Sequence, residues 1–272
     1  MWRRVASADL RAVRAVQSGE RGEASSGLET LNNRRRTVEF VRFREVCGLM
    51  SRDLKSIGGK PLGSAVYHGT TTVGLVCSDG VVLATDTRVT AGGFIAHKRG
   101  KKLLKIDDNI AMTISGGVAD AQNVVDTLKY YANIYRIERG RPMPVKAAAQ
   151  VVSNVLFSSR LYPFIADVLV GGVDVSGGSI YNVDFFGSMN REKVVATGSG
   201  SPVAYGVLES EFKEGMSAVK AYPLAAKAII AATRRNVYTG DHFDVAVLDK
   251  AGFREISEKE KDELLAQFTK EN

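Results

Sequence analysis

Cysteine, histidine and tryptophan are scarce in this chain: two, three and one among 272 residues. Two thiols, Cys47 and Cys77, cannot build a disulfide framework or a four-thiolate zinc site. His68, His97 and His242 are scattered without metal-ligand spacing. No metal and no other cofactor is therefore expected. The sparse cysteine fits a reducing, cytoplasmic setting. No run of 18 apolar residues occurs, which argues against a membrane-spanning helix.

Lysine is missing from one part of the chain. Residues 1–49 carry ten arginines and no lysine, whereas 16 lysines follow. The polar, aperiodic run Ser18-Gly19-Glu20-Arg21-Gly22-Glu23-Ala24-Ser25-Ser26-Gly27 reads as a disordered extension. Asp9, Glu20, Glu23 and Glu29 argue against a transit peptide, and no apolar signal core is present. A second reading makes Met50 the start and residues 1–49 an over-extended gene model.

Acidic charge is also short, and the net charge is +7. The excess is local. Residues 1–69 hold 13 Lys and Arg against 7 Asp and Glu, while residues 70–272 hold 24 against 23. The basic character belongs to the leader, so a nucleic-acid surface on the body loses most of its support.

What is present is an ordinary globular composition, 44% hydrophobic and 25% charged. From residue 70 the patterning predicts strands over 71–77 and 81–85 around the turn Ser78-Asp79-Gly80. A second hairpin is expected from 94–96 and 102–106, turning at Lys98-Arg99-Gly100, then a strand over 110–115. Ala121, Val124, Val125, Leu128 and Tyr135 share one helical face. Val145, Ala148, Ala149, Val152, Val155 and Leu156 share another, with Pro144 suited to the first turn. Strands return at 165–173, 179–184 and 193–197. Helices follow near 202–212 and 218–235, then a strand over 243–248. A charged helix over 258–270 reads as a solvated face. The order of strands, two helices, strands, two helices and strands predicts an α+β fold, a four-layer αββα sandwich. Two antiparallel sheets would be covered by paired helices. Residues 1–69 form the leader and 70–272 a single domain.

The leader ends in His68-Gly69, followed by Thr70-Thr71-Thr72-Val73-Gly74. Threonines opening a strand carry little meaning alone, since threonine favours strands. Downstream come Thr85-Asp86-Thr87-Arg88, Lys98-Arg99-Gly100-Lys101-Lys102, Ile114-Ser115-Gly116-Gly117 and Gly198-Ser199-Gly200-Ser201. That last stretch lacks the lysine of a phosphate-binding loop, so no nucleotide site is expected.

Together these segments make the region from Gly69 to about Leu248 resemble a proteasome β subunit, most of all the archaeal type. The family consists of N-terminal-nucleophile hydrolases with the αββα sandwich. The resemblance implies a leader removed by autocatalytic cleavage between Gly69 and Thr70. A threonine hydroxyl is a poor nucleophile and needs a base. Cleavage would give Thr70 a free α-amine with a reference pKa near ~7.7–8.0, able to take the hydroxyl proton at neutral pH.

The resemblance also assigns partners to Thr70. Lys102 matches the lysine beside the nucleophile, and Asp86 the acid that pairs with it. Gly116 matches the oxyanion-hole donor. Ser199 matches a serine that hydrogen-bonds to the threonine amine. The segment Arg235-Asn236-Val237-Tyr238-Thr239-Gly240 departs from the pattern: aspartate is usual at Asn236 and serine at Thr239. Asn236 keeps a carbonyl acceptor and loses the charge. Val89, Gly100, Leu104, Ile114 and Val118 correspond to a specificity pocket without charge of its own. A preference for large apolar residues before the scissile bond follows.

The implied protein is a threonine endopeptidase that degrades unfolded proteins inside stacked seven-membered rings. Its partners would be proteasome α subunits, other β subunits and an ATP-dependent unfoldase, with no nucleic acid and no membrane. Two alternatives stay open. One is a structural, weakly active or inactive β subunit of the same ring. The other is a small-molecule amidohydrolase of the same superfamily.

Overall fold

A computed structural model describes residues 69–161 and 163–270, without the side chains of Val118, Thr269 and Lys270. All of them fall within one compact unit. Apart from Gly69, the expected leader lies outside the described residues.

The strands are β1 (Thr71–Val76), β2 (Gly80–Asp86), β3 (Val89–Ala91), β4 (Phe94–His97), β5 (Leu103–Asp107), β6 (Ile110–Gly116), β7 (Ala166–Asp174), β8 (Gly177–Val183), β9 (Met189–Glu192), β10 (Val194–Gly198), β11 (Phe243–Asp249) and β12 (Gly252–Glu255). The helices are α1 (Val118–Arg139), α2 (Val145–Ser158), α3 (Ser201–Glu211), α4 (Ala218–Thr233) and α5 (Glu258–Lys270). One sheet runs β10-β1-β2-β11-β12 and the other β5-β6-β7-β8-β9, with β3-β4 as a separate hairpin. All the pairings are antiparallel.

Strand β2 shows why this becomes four layers. Val81, Val82, Leu83 and Ala84 form an unbroken apolar run, so both faces of the strand need cover. Val82 and Ala84 pack with Leu208, Ala225 and Ile229 of α3 and α4. Val81 and Leu83 pack instead with Leu103, Leu169 and Ile180 of the other sheet. On that sheet's far side Met112, Ile114 and Val168 meet Val124, Leu128 and Val152 of α1 and α2. This is the αββα sandwich, with an inter-sheet core and two helix-on-sheet cores.

Three local expectations need correction. Strands β4 and β5 do not form a hairpin. β4 pairs back onto β3 through Gly92-Gly93, where Gly92 has φ +59°, and β5 pairs with β6. The glycine pair supplies the tight turn, and Lys98-Arg99-Gly100 is left as a crossing. Pro144 is the N-cap of α2, with ψ 145°, one residue before the first helical turn. Helix α5 is more than a solvated face. Leu264 and Phe268 are buried in the core beneath α3 and α4, and Lys261 pairs with Asp244 at 2.8 Å. Its start is fixed by a capping box: the Ser257 N–H donates to Glu260 Oε2 at 2.7 Å, and the Glu260 N–H donates to Ser257 Oγ. The short strands β3, β9 and β12 carry too few residues to show a period of two.

The register brings chemistry to one end of both sheets. Thr71 opposes Gly198, Thr72 opposes Thr85, and Asp86 opposes Phe243. The start of β1, the ends of β2 and β10 and the approach to β11 therefore meet. Lys102 precedes β5 and Gly116 ends β6 at the same edge.

Candidate active site

Thr70 stands one residue before β1 and is 3% exposed. Its hydroxyl donates to the carbonyl oxygen of Gly69 at 2.7 Å. The nucleophile candidate thus sits against the peptide bond whose cleavage the resemblance implies. The next two hydroxyls face elsewhere: Thr71 shares a hydrogen bond with Thr239 at 2.7 Å, and Thr72 with Thr197 at 2.8 Å. Of the three consecutive threonines, only Thr70 lines the cavity described below.

Asp86 is fully buried at the end of β2 and organises the floor of the site. Its Oδ1 accepts from Lys102 Nζ at 2.9 Å and from the Thr71 N–H at 3.0 Å. Its Oδ2 accepts from the N–H groups of Arg88 and Gly240 at 3.1 and 3.0 Å. One carboxylate thereby joins β1, β2, the approach to β5 and the segment before β11. Lys102 is itself 5% exposed. Burial pushes its pKa below the ordinary lysine value. The Asp86 charge pulls it back in part, and the Arg88 charge adds to the lowering.

Gly116 has φ +117°, and a Cβ there would lie 2.1 Å from the Ile165 carbonyl oxygen. No side chain fits, and the bare backbone forms part of the cavity wall. Gly198, at φ +85°, likewise lets β10 approach the Thr70 carbonyl, which a Cβ would meet at 2.0 Å. Ser199 follows. Its hydroxyl lies 3.4 Å from the Thr70 carbonyl oxygen and 3.3 Å from Asn236 Oδ1. Asn236 Oδ1 also accepts the Tyr238 N–H at 2.8 Å. Thr239 reaches the site through Thr71, one residue away from Thr70.

A cavity of about 440 Å³ opens beside Thr70. Val89, Gly100, Lys102, Leu104, Ile114 and Gly116 line it, so four of the five expected pocket residues share it with the nucleophile candidate. The fifth, Val118, begins α1, and its side chain lies outside the described residues. Sequence reasoning did not place His97, Lys101, Gln122, Val125, Asp126 or Lys129, which also line the cavity. The pocket therefore has an apolar throat and a charged outer wall. The spacing 122, 125, 126, 129 is one face of α1 and was open to reading once that helix was assigned.

Arg88 is a second omission. It ion-pairs with Asp241 at 2.9 Å and donates to the Val237 carbonyl at 2.8 Å, fastening the 236–241 segment to the end of β2. Its signal was a cation two residues beyond Asp86.

Comparison with known proteins identifies the family. The family model described as "Proteasome subunit" matches residues 66–248. The chain is 47% identical over 196 residues to "Proteasome subunit beta 2" of Nitrosopumilus maritimus, covering 72% of this chain and 93% of the relative. It is 46% identical over 201 residues to "Proteasome subunit beta 2" of Cenarchaeum symbiosum, covering 74% and 96%. It is also 46% identical over 206 residues to "Proteasome subunit beta" of Archaeoglobus fulgidus, covering 75% and 97%. With a family model across most of the described residues and relatives covered nearly end to end, the chain belongs to the proteasome subunit family, on the side of its β subunits, the threonine proteases.

Proposed function

We propose that this chain is a peptide-cleaving subunit of a proteasome core particle, a threonine endopeptidase with Thr70 as nucleophile. The observation that carries this reading is the 2.7 Å contact from the Thr70 hydroxyl to the Gly69 carbonyl oxygen, beside the buried Lys102–Asp86 pair. Self-cleavage begins as Thr70 Oγ bonds to the Gly69 carbonyl carbon and gives up its proton. The C–N bond then breaks and nitrogen takes a proton. The leader is left as an ester on Thr70. Water hydrolyses the ester, releasing the Gly69 carboxylate and restoring the hydroxyl beside a free amine. An outside peptide follows the same course, with the amine as base and the departing substrate amine taking the proton.

Lys102, with its lowered pKa, stabilises negative charge developing on Thr70 Oγ, and Asp86 holds Lys102 in place. The Gly116 N–H is the donor to the oxyanion. Ser199, Asn236 and Thr239 support the threonine end. Val89, Gly100, Leu104, Ile114 and Val118 receive the side chain before the scissile bond.

Family membership implies assembly with other proteasome subunits in rings. Stacked heptameric rings with α subunits, unfolded proteins as substrates and delivery by an ATP-dependent unfoldase complete the reading. A cytoplasmic location agrees with the sparse cysteine. Among the described residues no helix is long and apolar enough to cross a membrane.

Asn236 favours a second reading, a structural subunit that cuts slowly, because it lacks the usual charge. Its Oδ1 nevertheless accepts two hydrogen bonds, so the acceptor role survives. N-terminal sequencing of assembled particles, with peptide hydrolysis by wild type and Thr70→Ala, tests the choice. A mature start at Thr70 and activity lost in Thr70→Ala support the peptidase. An uncleaved leader on inert particles supports the structural subunit.

A further inference from the structure

Gly69 lies against Tyr238, and no conservative adjustment makes room between them. A Cβ built on Gly69 would fall 1.7 Å from Tyr238 Cβ, 2.6 Å from its Cγ and 2.9 Å from its Cα. Turning the tyrosine ring cannot relieve contacts with Cβ and Cα. The backbone that carries Tyr238 is also held on both sides. Its own N–H donates to Asn236 Oδ1 at 2.8 Å. The Val237 carbonyl accepts from Arg88 at 2.8 Å, and the Gly240 N–H donates to Asp86 at 3.0 Å. Thr239 shares its hydroxyl with Thr71 at 2.7 Å. Any side chain at position 69 must therefore displace residue 69 itself. What moves then is the carbonyl that the Thr70 hydroxyl now touches.

We propose that Tyr238 is a positioning residue for self-cleavage: its Cα and Cβ form a wall that admits only glycine at position 69 and keeps the Gly69 carbonyl against the Thr70 hydroxyl. The inference rests on the self-cleavage reading above. Asn236 gains a role beside the one its family position suggests, because it holds the Tyr238 N–H. The wall acts on the acyl residue of the chain's own cleavage. An outside peptide places its side chain in the cavity lined by Val89, Leu104 and Ile114 instead.

The test follows leader removal by intact mass in the full chain, expressed with its ring partners. Wild type, Gly69→Ala, Tyr238→Gly and the double variant are compared. A wild-type chain that is never cut between Gly69 and Thr70 fails the self-cleavage reading, before any variant is considered. If wild type is cut, Gly69→Ala should slow cleavage by about 10²-fold, the scale of a misplaced reacting group. In the Tyr238→Gly background the same alanine should cost at least about ten-fold less, because the two positions are coupled through contact. An alanine penalty equal in both backgrounds overturns the proposal. A series at position 69 alone keeps the test open if Tyr238→Gly does not assemble. With the wall at Cβ, alanine should be as slow as valine or leucine. A loss that grows with side-chain size from a near-normal alanine overturns it.

Discussion

Lys102 Nζ lies 2.9 Å from Asp86 Oδ1, and the Asp86 side chain is wholly shielded from solvent. That carboxylate accepts four hydrogen bonds, three from backbone N–H groups. An amide in its place would turn an NH₂ toward two of those donors. Asp86→Asn is therefore expected to impair assembly and leader removal as well as turnover. Lys102→Ala should lose about 10²–10³-fold in peptide hydrolysis on matured particles. Lys102→Arg should not restore the rate. A guanidinium stays charged and its fork does not fit a site built for one Nζ. Parental rates in the arginine variant would reduce Lys102 to a permanent positive charge.

Asn236 carries the second expectation. A carboxylate there could accept from Ser199 and Tyr238 as the amide oxygen does, while adding negative charge near Thr70. That charge favours the protonated form of the mature amine and raises its pKa. With the neutral amine as the proposed base, Asn236→Asp should move the acidic limb of the pH–rate profile to higher pH, by roughly one pH unit or less. Rates across roughly pH 6–9 measure this. Superimposable profiles would uncouple position 236 from the nucleophile.

Selectivity follows from the cavity wall. Val89, Leu104, Ile114 and Val125 make the throat apolar, so peptides ending in leucine, tyrosine or phenylalanine should outrun those ending in glutamate or arginine. The outer wall tunes the charged pair. Lys101 and Lys102 are occupied by carboxylates, whereas Lys129 and Asp126 both line the cavity and form no ion pair among the described residues. Their charges oppose one another, so Lys129→Glu should shift the ratio of glutamate to arginine cleavage toward arginine by up to about ten-fold, the scale of an exposed charge contact. An unchanged ratio in the variant removes Lys129 from the proposed specificity site.

The parts that were legible in the sequence share one property: their signal is local. The apolar run at 81–84, the stripes of α1 and α2 and the turn at Ser78-Asp79-Gly80 each need only neighbouring residues to be read. The pairing of β4 with β3 depends on Gly92-Gly93 competing successfully with Lys98-Arg99-Gly100, a choice that periodicity does not rank. The burial of one face of α5 depends on Leu264 and Phe268 reaching the core under α3 and α4, and the pairing of Lys261 depends on Asp244, 17 residues away. The candidate site was legible only through resemblance, because Thr70, Asp86, Lys102, Ser199 and Asn236 come together only in the folded register. The contact of Tyr238 with Gly69 left no trace in composition or spacing.

Asp167 yields the last expectation. It lies on β7 opposite Ser115, and its Oδ1 has no hydrogen-bond partner among the described residues. Burial, with a smaller contribution from the Asp184 charge, pushes its pKa up from 3.8 to about 6. The folded state therefore holds more protons than the unfolded state between those two values. Stability contributed by this group is full below pH 3.8, falls as pH rises through the window, and stays low above pH 6. At neutral pH the ionised carboxylate costs on the order of 2 kcal/mol, since each tenfold change in proton affinity corresponds to about 1.4 kcal/mol. Asp167→Asn removes the charge while keeping the shape. It should raise stability at pH 7.5 by about 1–2 kcal/mol, a few degrees in Tm for a domain of this size. Much of that gain should vanish by about pH 4, where Asp167 is largely protonated in the folded state. Thermal unfolding of both proteins across this range provides the measurement. A gain that is absent at pH 7.5, or equally large at pH 4, would show that Asp167 does not titrate as a half-buried carboxyl with one oxygen shielded and unpartnered.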